Sequence, residues 1–217
     1  MVWVIDLLDS YGSGLLRIIC LTVWAIISNK QTESNFSDKI GKYFIDYLAL
    51  YVVWNLFMIF TNFSGNVYLV FWSLVNILKF IFFIKIIVEL FSWEKWIASI
   101  VILLLMIPSI FASVFSYMRD DYYPLNTIDF YNKILFLVLS IVILSNILKS
   151  ESFVQNLKAF FIFSGFVLYF GLHIVGRVLL MYGQDWQFNK MANLVSLFFW
   201  LGSTFFIWNI KKSKHLF

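Results

Sequence analysis

Long apolar runs separated by short polar stretches dominate the chain. Seven of them, at residues 11–28, 43–61, 67–90, 96–117, 131–148, 158–181 and 190–210, come close to or exceed the span of a bilayer core. A hydrocarbon layer about 30 Å thick needs roughly 20 helical residues at 1.5 Å each. The pattern predicts an all-α polytopic integral membrane protein with seven transmembrane helices at residues 11–210. An interfacial segment at 1–10 precedes the helices, and a basic tail at 211–217 follows them. The first ten residues, MVWVIDLLDS, lack a basic n-region and a small-residue cleavage site, so they read as a short interfacial helix with Trp3 at the headgroups.

The polar stretches set the orientation. Lys30, Lys39, Lys42, Lys95, Lys149, Lys158 and the tail lysines fall on one side, against Arg119, Lys133 and Lys190 on the other. Loops rich in Lys and Arg stay cytoplasmic, which predicts an outside N-terminus and a C-terminus in the cytoplasm, or in the matrix of an organelle. The expected location is a bacterial inner membrane or the inner membrane of an organelle.

Composition agrees with this class. Of the 217 residues 62% are hydrophobic and only 13% charged, against about a quarter charged in soluble domains. The net charge of +4 is spread over short loops, where it encodes topology, and nucleic acid is not an expected partner. The single cysteine, Cys20, excludes an intrachain disulfide and any multi-cysteine metal site. His173 and His215 are too far apart in depth to ligate one haem, and no cofactor is expected. The sequence Asn62-Phe63-Ser64 lies in a tight turn between two spans and reads as a chance sequon.

Ionisable and polar groups inside the spans carry the candidate chemistry, because a charge at that depth is expensive and needs a role. The sixth span holds His173 and Arg177. At helical spacing Gly165, Tyr169, His173, Gly176, Arg177 and Leu180 share one face, which is expected to turn inward. Four of the nine glycines lie between Gly165 and Gly183, and small residues let membrane helices approach closely or leave space for a ligand. Arg17 sits shallow in the first span. Lys79 lies about twelve residues from either end of the third, near mid-membrane by rise per residue, with Asn76 in the same spacing family. Pro108 interrupts the fourth span and leaves the carbonyl of Leu104 without its helical donor. Ser109, Ser113 and Ser116 follow it, either lining an inner face or bonding back to the backbone. In the seventh span Asn193, Ser196, Trp200 and Ser203 form a mildly polar stripe.

No carboxylate falls at mid-membrane. Asp46 and Glu89 lie toward the inner interface, and Asp129 and Asp185 toward the outer. This argues against a cation channel or a carboxylate-based pump and leaves positive charge leading inward. The leading expectation is transport or conduction of a small anionic solute through an outward-facing cationic cavity. Its ligand-binding candidates are Lys79, His173, Arg177, Arg17, Asn76 and Tyr169. The competing reading of Arg17 and Arg177 is snorkelling to headgroups; that of His173 is an interhelical hydrogen bond. Two further functions stay open. One is a non-catalytic subunit or scaffold of a larger membrane complex, or a homo-oligomer, whose bulky aromatic faces meet partners. The other is a seven-helix sensor without its own output domain. Enzyme motifs are missing: there is no HExxH, no serine-nucleophile motif and no pair of acids in the spans.

Overall fold

The computed structural model describes residues 13–29, 36–61, 75, 78–86, 88–89, 95–119, 123–149, 156–181 and 187–214. All of the described secondary structure is helical. The helices are α1 (Ser13–Asn29), α2 (Phe36–Thr61), α3 (residues 78–86), α4 (Lys95–Arg119), α5 (Tyr123–Lys149), α6 (Leu157–Met181) and α7 (Gln187–Lys214). Among the described residues three stretches are long and apolar enough to cross a membrane: Thr127–Lys149, Leu157–Leu180 and Met191–Asn209. Gly14–Ile27 and Met106–Ser116 are shorter apolar helical runs. The expected interfacial segment 1–10, the turn at 62–66 and the candidate Asn76 lie outside the described residues.

Several helices start earlier than their apolar runs. A polar loop was expected up to Lys42, but α2 begins at Phe36. Asp38 in its first turn complements the positive helix end, and a buried stripe of Ile40, Phe44, Leu48 and Tyr51 runs on from that turn. The long loop expected at 118–130 is largely helix as well, because α5 begins at Tyr123. Pro124 lies in its first turn, where a missing N–H costs nothing. Asp129 and Lys133 pair at 2.6 Å one turn apart. On α6 the backbone carbonyl of Asn156 accepts from the Phe160 N–H at 2.9 Å, and asparagine is a favoured residue at that boundary. The seventh helix continues into the basic tail as far as Lys214. Charged residues at helix ends are good helix formers, and hydropathy alone places them in loops.

The chain divides into two compact units. The first comprises residues 1–52 and 136–217. Within it α7 packs against α6 and α1. Its interior is a chain of aromatic rings. Phe44 of α2 meets Trp24 of α1 at 5.1 Å, Phe166 of α6 at 5.8 Å and Trp200 of α7 at 4.9 Å, all edge to face. Phe166 in turn meets Tyr47 and Trp200, and stacks on Phe170, which reaches Phe136 of α5. Lipid tails are as apolar as these side chains, so burial from water does not hold membrane helices together. Dispersion and quadrupole contacts do, at about 0.5–1.5 kcal/mol per well-oriented aromatic pair. The buried residues of α1, Arg17, Cys20, Trp24 and Ile27, recur at the spacing of one helix face. On α7 Trp200, Ser203, Thr204 and Ile207 are buried, while Phe198, Phe205, Phe206 and Trp208 are exposed.

The second unit is residues 53–135. Here α4 runs unbroken through Pro108. Its buried edge is a seam of small residues, Ser109, Ala112 and Ser116, and its other side exposes Ile100, Leu103, Ile107, Phe111 and Phe115. Both readings of the serines hold at different positions. Ser113 donates back to the Ser109 carbonyl at 2.7 Å, while the Ser109 hydroxyl accepts from Asn132 Nδ2 of α5 at 3.3 Å.

Candidate functional site

Within the first unit, α1, α2, α6 and α7 enclose a small cleft lined by Arg17, Tyr47, Leu48, Tyr51, Tyr169, Asn193, Ser196, Leu197 and Trp200. Each helix supplies its residues at helical spacing. Tyr47 and Tyr51 are one turn apart on α2, Asn193, Ser196, Leu197 and Trp200 follow the inner stripe of α7, and Tyr169 projects from the buried face of α6. The cavity measures about 20 Å³. A single water needs roughly 10–15 Å³.

Arg17 is the charged member and is buried, with 9% of its surface exposed. Its guanidinium lies over the Tyr51 ring, 5.0 Å from the centroid. The ion pairs Asp129–Lys133 and Asp38–Lys158 do not involve Arg17, and among the described residues the cleft lining offers its guanidinium the Tyr51 face and no carboxylate. A cation on an aromatic face gains about 0.5–2 kcal/mol, whereas removing a charge from water costs several kcal/mol. Among the described residues the arginine is therefore under-compensated.

Hydroxyl groups complete the polar lining. The Tyr51 and Tyr169 hydroxyl oxygens lie 3.5 Å apart. Ser196 donates to the Asn193 carbonyl at 3.0 Å, which commits its proton. The Tyr169 ring meets the His173 imidazole at 4.6 Å and nearly at right angles. Among the described residues the lining thus holds one cation, three phenol groups that already contact one another, a side-chain amide and no acid.

The sequence candidates divide accordingly. Arg17 and Tyr169 come together in the cleft, and His173 adjoins it through Tyr169. Arg177 is partly exposed and lies outside the lining. Lys79 is buried and belongs to the second unit; it has an interaction partner and is no isolated charge. Of the six residues predicted for the inner face of α6, Gly165, Tyr169, His173 and Gly176 are buried, and Arg177 and Leu180 are only half-buried. Tyr47 and Tyr51 escaped the sequence reading, although Tyr43, Tyr47 and Tyr51 repeat every fourth residue, a phenol ladder legible in the sequence. The buried ion pair of Lys158 Nζ with Asp38 Oδ1, at 2.6 Å, was also missed, because both residues were assigned to solvated loops. Among the described residues no group of three or more metal-ligating side chains occurs. Compared with protein-family models, curated proteins and solved structures, the chain matches none of them.

Proposed function

We propose that this chain is a seven-span membrane protein, N-terminus outside, that binds a small anionic solute in the Arg17 cleft and passes it across the membrane. The observation that carries the reading is the buried Arg17 guanidinium at a cleft whose described lining has three tyrosines and no carboxylate. An anion there would supply a counter-charge and could accept hydrogen bonds from Arg17 and from phenols that turn toward it. The lysine-rich stretches on one side of the spans support the orientation, and the three long apolar helices support residence in a bilayer. Arg17 lies four residues beyond the first residue of α1, about 6 Å along the axis. In the proposed orientation that places the cleft toward the outer face.

The test is anion flux into proteoliposomes of zwitterionic lipid. The native chain is expected to carry anions, and Arg17→Gln to lose most of the flux while keeping its helical content. Equal flux in the two proteins would remove Arg17 from the function. A chain that is monodisperse only with copurifying membrane proteins, and inactive alone, would favour a subunit of a larger complex.

A further inference from the structure

Resting on the reading of the cleft as an anion site, the structure also limits which anion fits. We propose that the Arg17 cleft holds one weakly hydrated monovalent anion of halide or nitrate size, and rejects both sulfate and carboxylate-bearing metabolites. Three observations point there. The first is size. A cavity of about 20 Å³ has room for one or two water-sized particles, so an ion of one to four heavy atoms is at its limit and a metabolite the size of gluconate or benzoate exceeds it. The second is charge. Arg17 is the sole cationic residue among the described lining residues, so one negative charge is neutralised and a second would stay buried without a partner there.

The third observation is the character of the walls. Leu48, Leu197 and Trp200 give the anion apolar surface, and donation falls to Arg17, the tyrosines and the Asn193 amide. The Ser196 hydroxyl already gives its proton to the Asn193 carbonyl. A site with few donors and apolar walls replaces only part of a hydration shell. It therefore favours ions that shed water readily, such as bromide, nitrate and chloride, over fluoride and sulfate. Tyr51 and Tyr169, with hydroxyl oxygens 3.5 Å apart, are close enough for both phenols to turn toward one ion.

The experiment measures thermal unfolding of the full chain in zwitterionic nanodiscs, titrated at constant ionic strength with sodium bromide, chloride, nitrate, fluoride, sulfate, gluconate or benzoate. Bromide, nitrate and chloride are expected to raise Tm saturably, as a ligand of the folded state does, with the other four without effect. Arg17→Gln should weaken bromide binding by about tenfold or more, as loss of a charge-assisted contact implies, and Arg177→Gln should leave it unchanged. If benzoate or gluconate stabilises as well as bromide, and does so through Arg17, the size limit is overturned while the anion site stands. If no anion stabilises the chain, both fail. Should Arg17→Gln not fold, Tyr51→Phe and Tyr169→Phe keep the cation and each remove one donor. A roughly threefold to tenfold loss of bromide affinity in each, the scale of one hydrogen bond, supports the proposal; unchanged affinity in both overturns it.

Discussion

Gly165 and Trp200 are fitted to each other across the α6–α7 contact. The Trp200 indole donates from Nε1 to the Ile162 carbonyl at 3.2 Å, and a Cβ at Gly165 would fall on the indole ring itself. The absence of a side chain at Gly165 is what lets the indole reach a backbone carbonyl one turn earlier. The same ring meets Phe44 and Phe166 and lines the cleft, so this packing also fixes one of the cleft's walls.

Gly165→Ala should therefore displace the indole. Overpacking of this kind costs about 1–3 kcal/mol, and the hydrogen bond lost with it adds about 1 kcal/mol. Alanine is the better helix former by about 1 kcal/mol, which offsets part of the cost. Net destabilisation is expected in a denaturant titration of the detergent-solubilised chain. Adding Trp200→Leu to Gly165→Ala should cost less than the sum of the two single changes, since the clash disappears with the ring. Strict additivity would show that the two residues do not meet.

The Asp38–Lys158 pair joins the first turns of α2 and α6, with both side chains less than a tenth exposed. Removing one partner leaves a buried charge uncompensated, at a cost of about 3–5 kcal/mol. Asp38→Leu and Lys158→Met should each lower stability strongly, and the double variant Asp38→Leu with Lys158→Met should recover much of the loss. Unfolding of the four proteins under one condition gives the coupling directly. A coupling near zero would mean that the pair is exposed to water in the membrane-embedded chain.

Cys20 is fully buried on the inner face of α1. A thiol without solvent access does not reach the thiolate form that alkylation requires. The native chain should resist maleimide for as long as it stays folded, and the same reagent in denaturant should label one thiol per chain. Labelling in nanodiscs at the rate of a free thiol would contradict the packing of α1.

Lys79 is buried in the second unit, and its sequence position places it deep in the third span. If it contributes to passage of the anion, Lys79→Met should slow flux several-fold without changing bromide binding at the Arg17 cleft. Unchanged flux in a folded Lys79→Met variant would make the lysine a packing residue only.

Much of this protein was legible without coordinates, because bilayer physics acts on composition and run length. Apolar runs determined the helical class, and the spacing of Gly165, Tyr169, His173 and Gly176 determined the inward face of α6. Helix ends were less legible. Residues 36–42 and 123–130 are polar enough to read as loops, and they are helical because buried stripes, first-turn charges and ion pairs hold them. Only tertiary structure decided which polar groups meet. Arg17 and Arg177 look alike in sequence, each a lone cation in an apolar helix. Packing buries the first over Tyr51 and leaves the second partly exposed. The difference depends on residues 30 to more than 150 positions away from Arg17, from Tyr47 and Tyr51 to Trp200. Periodicity reports which face of a helix is apolar and not which neighbour that face will find.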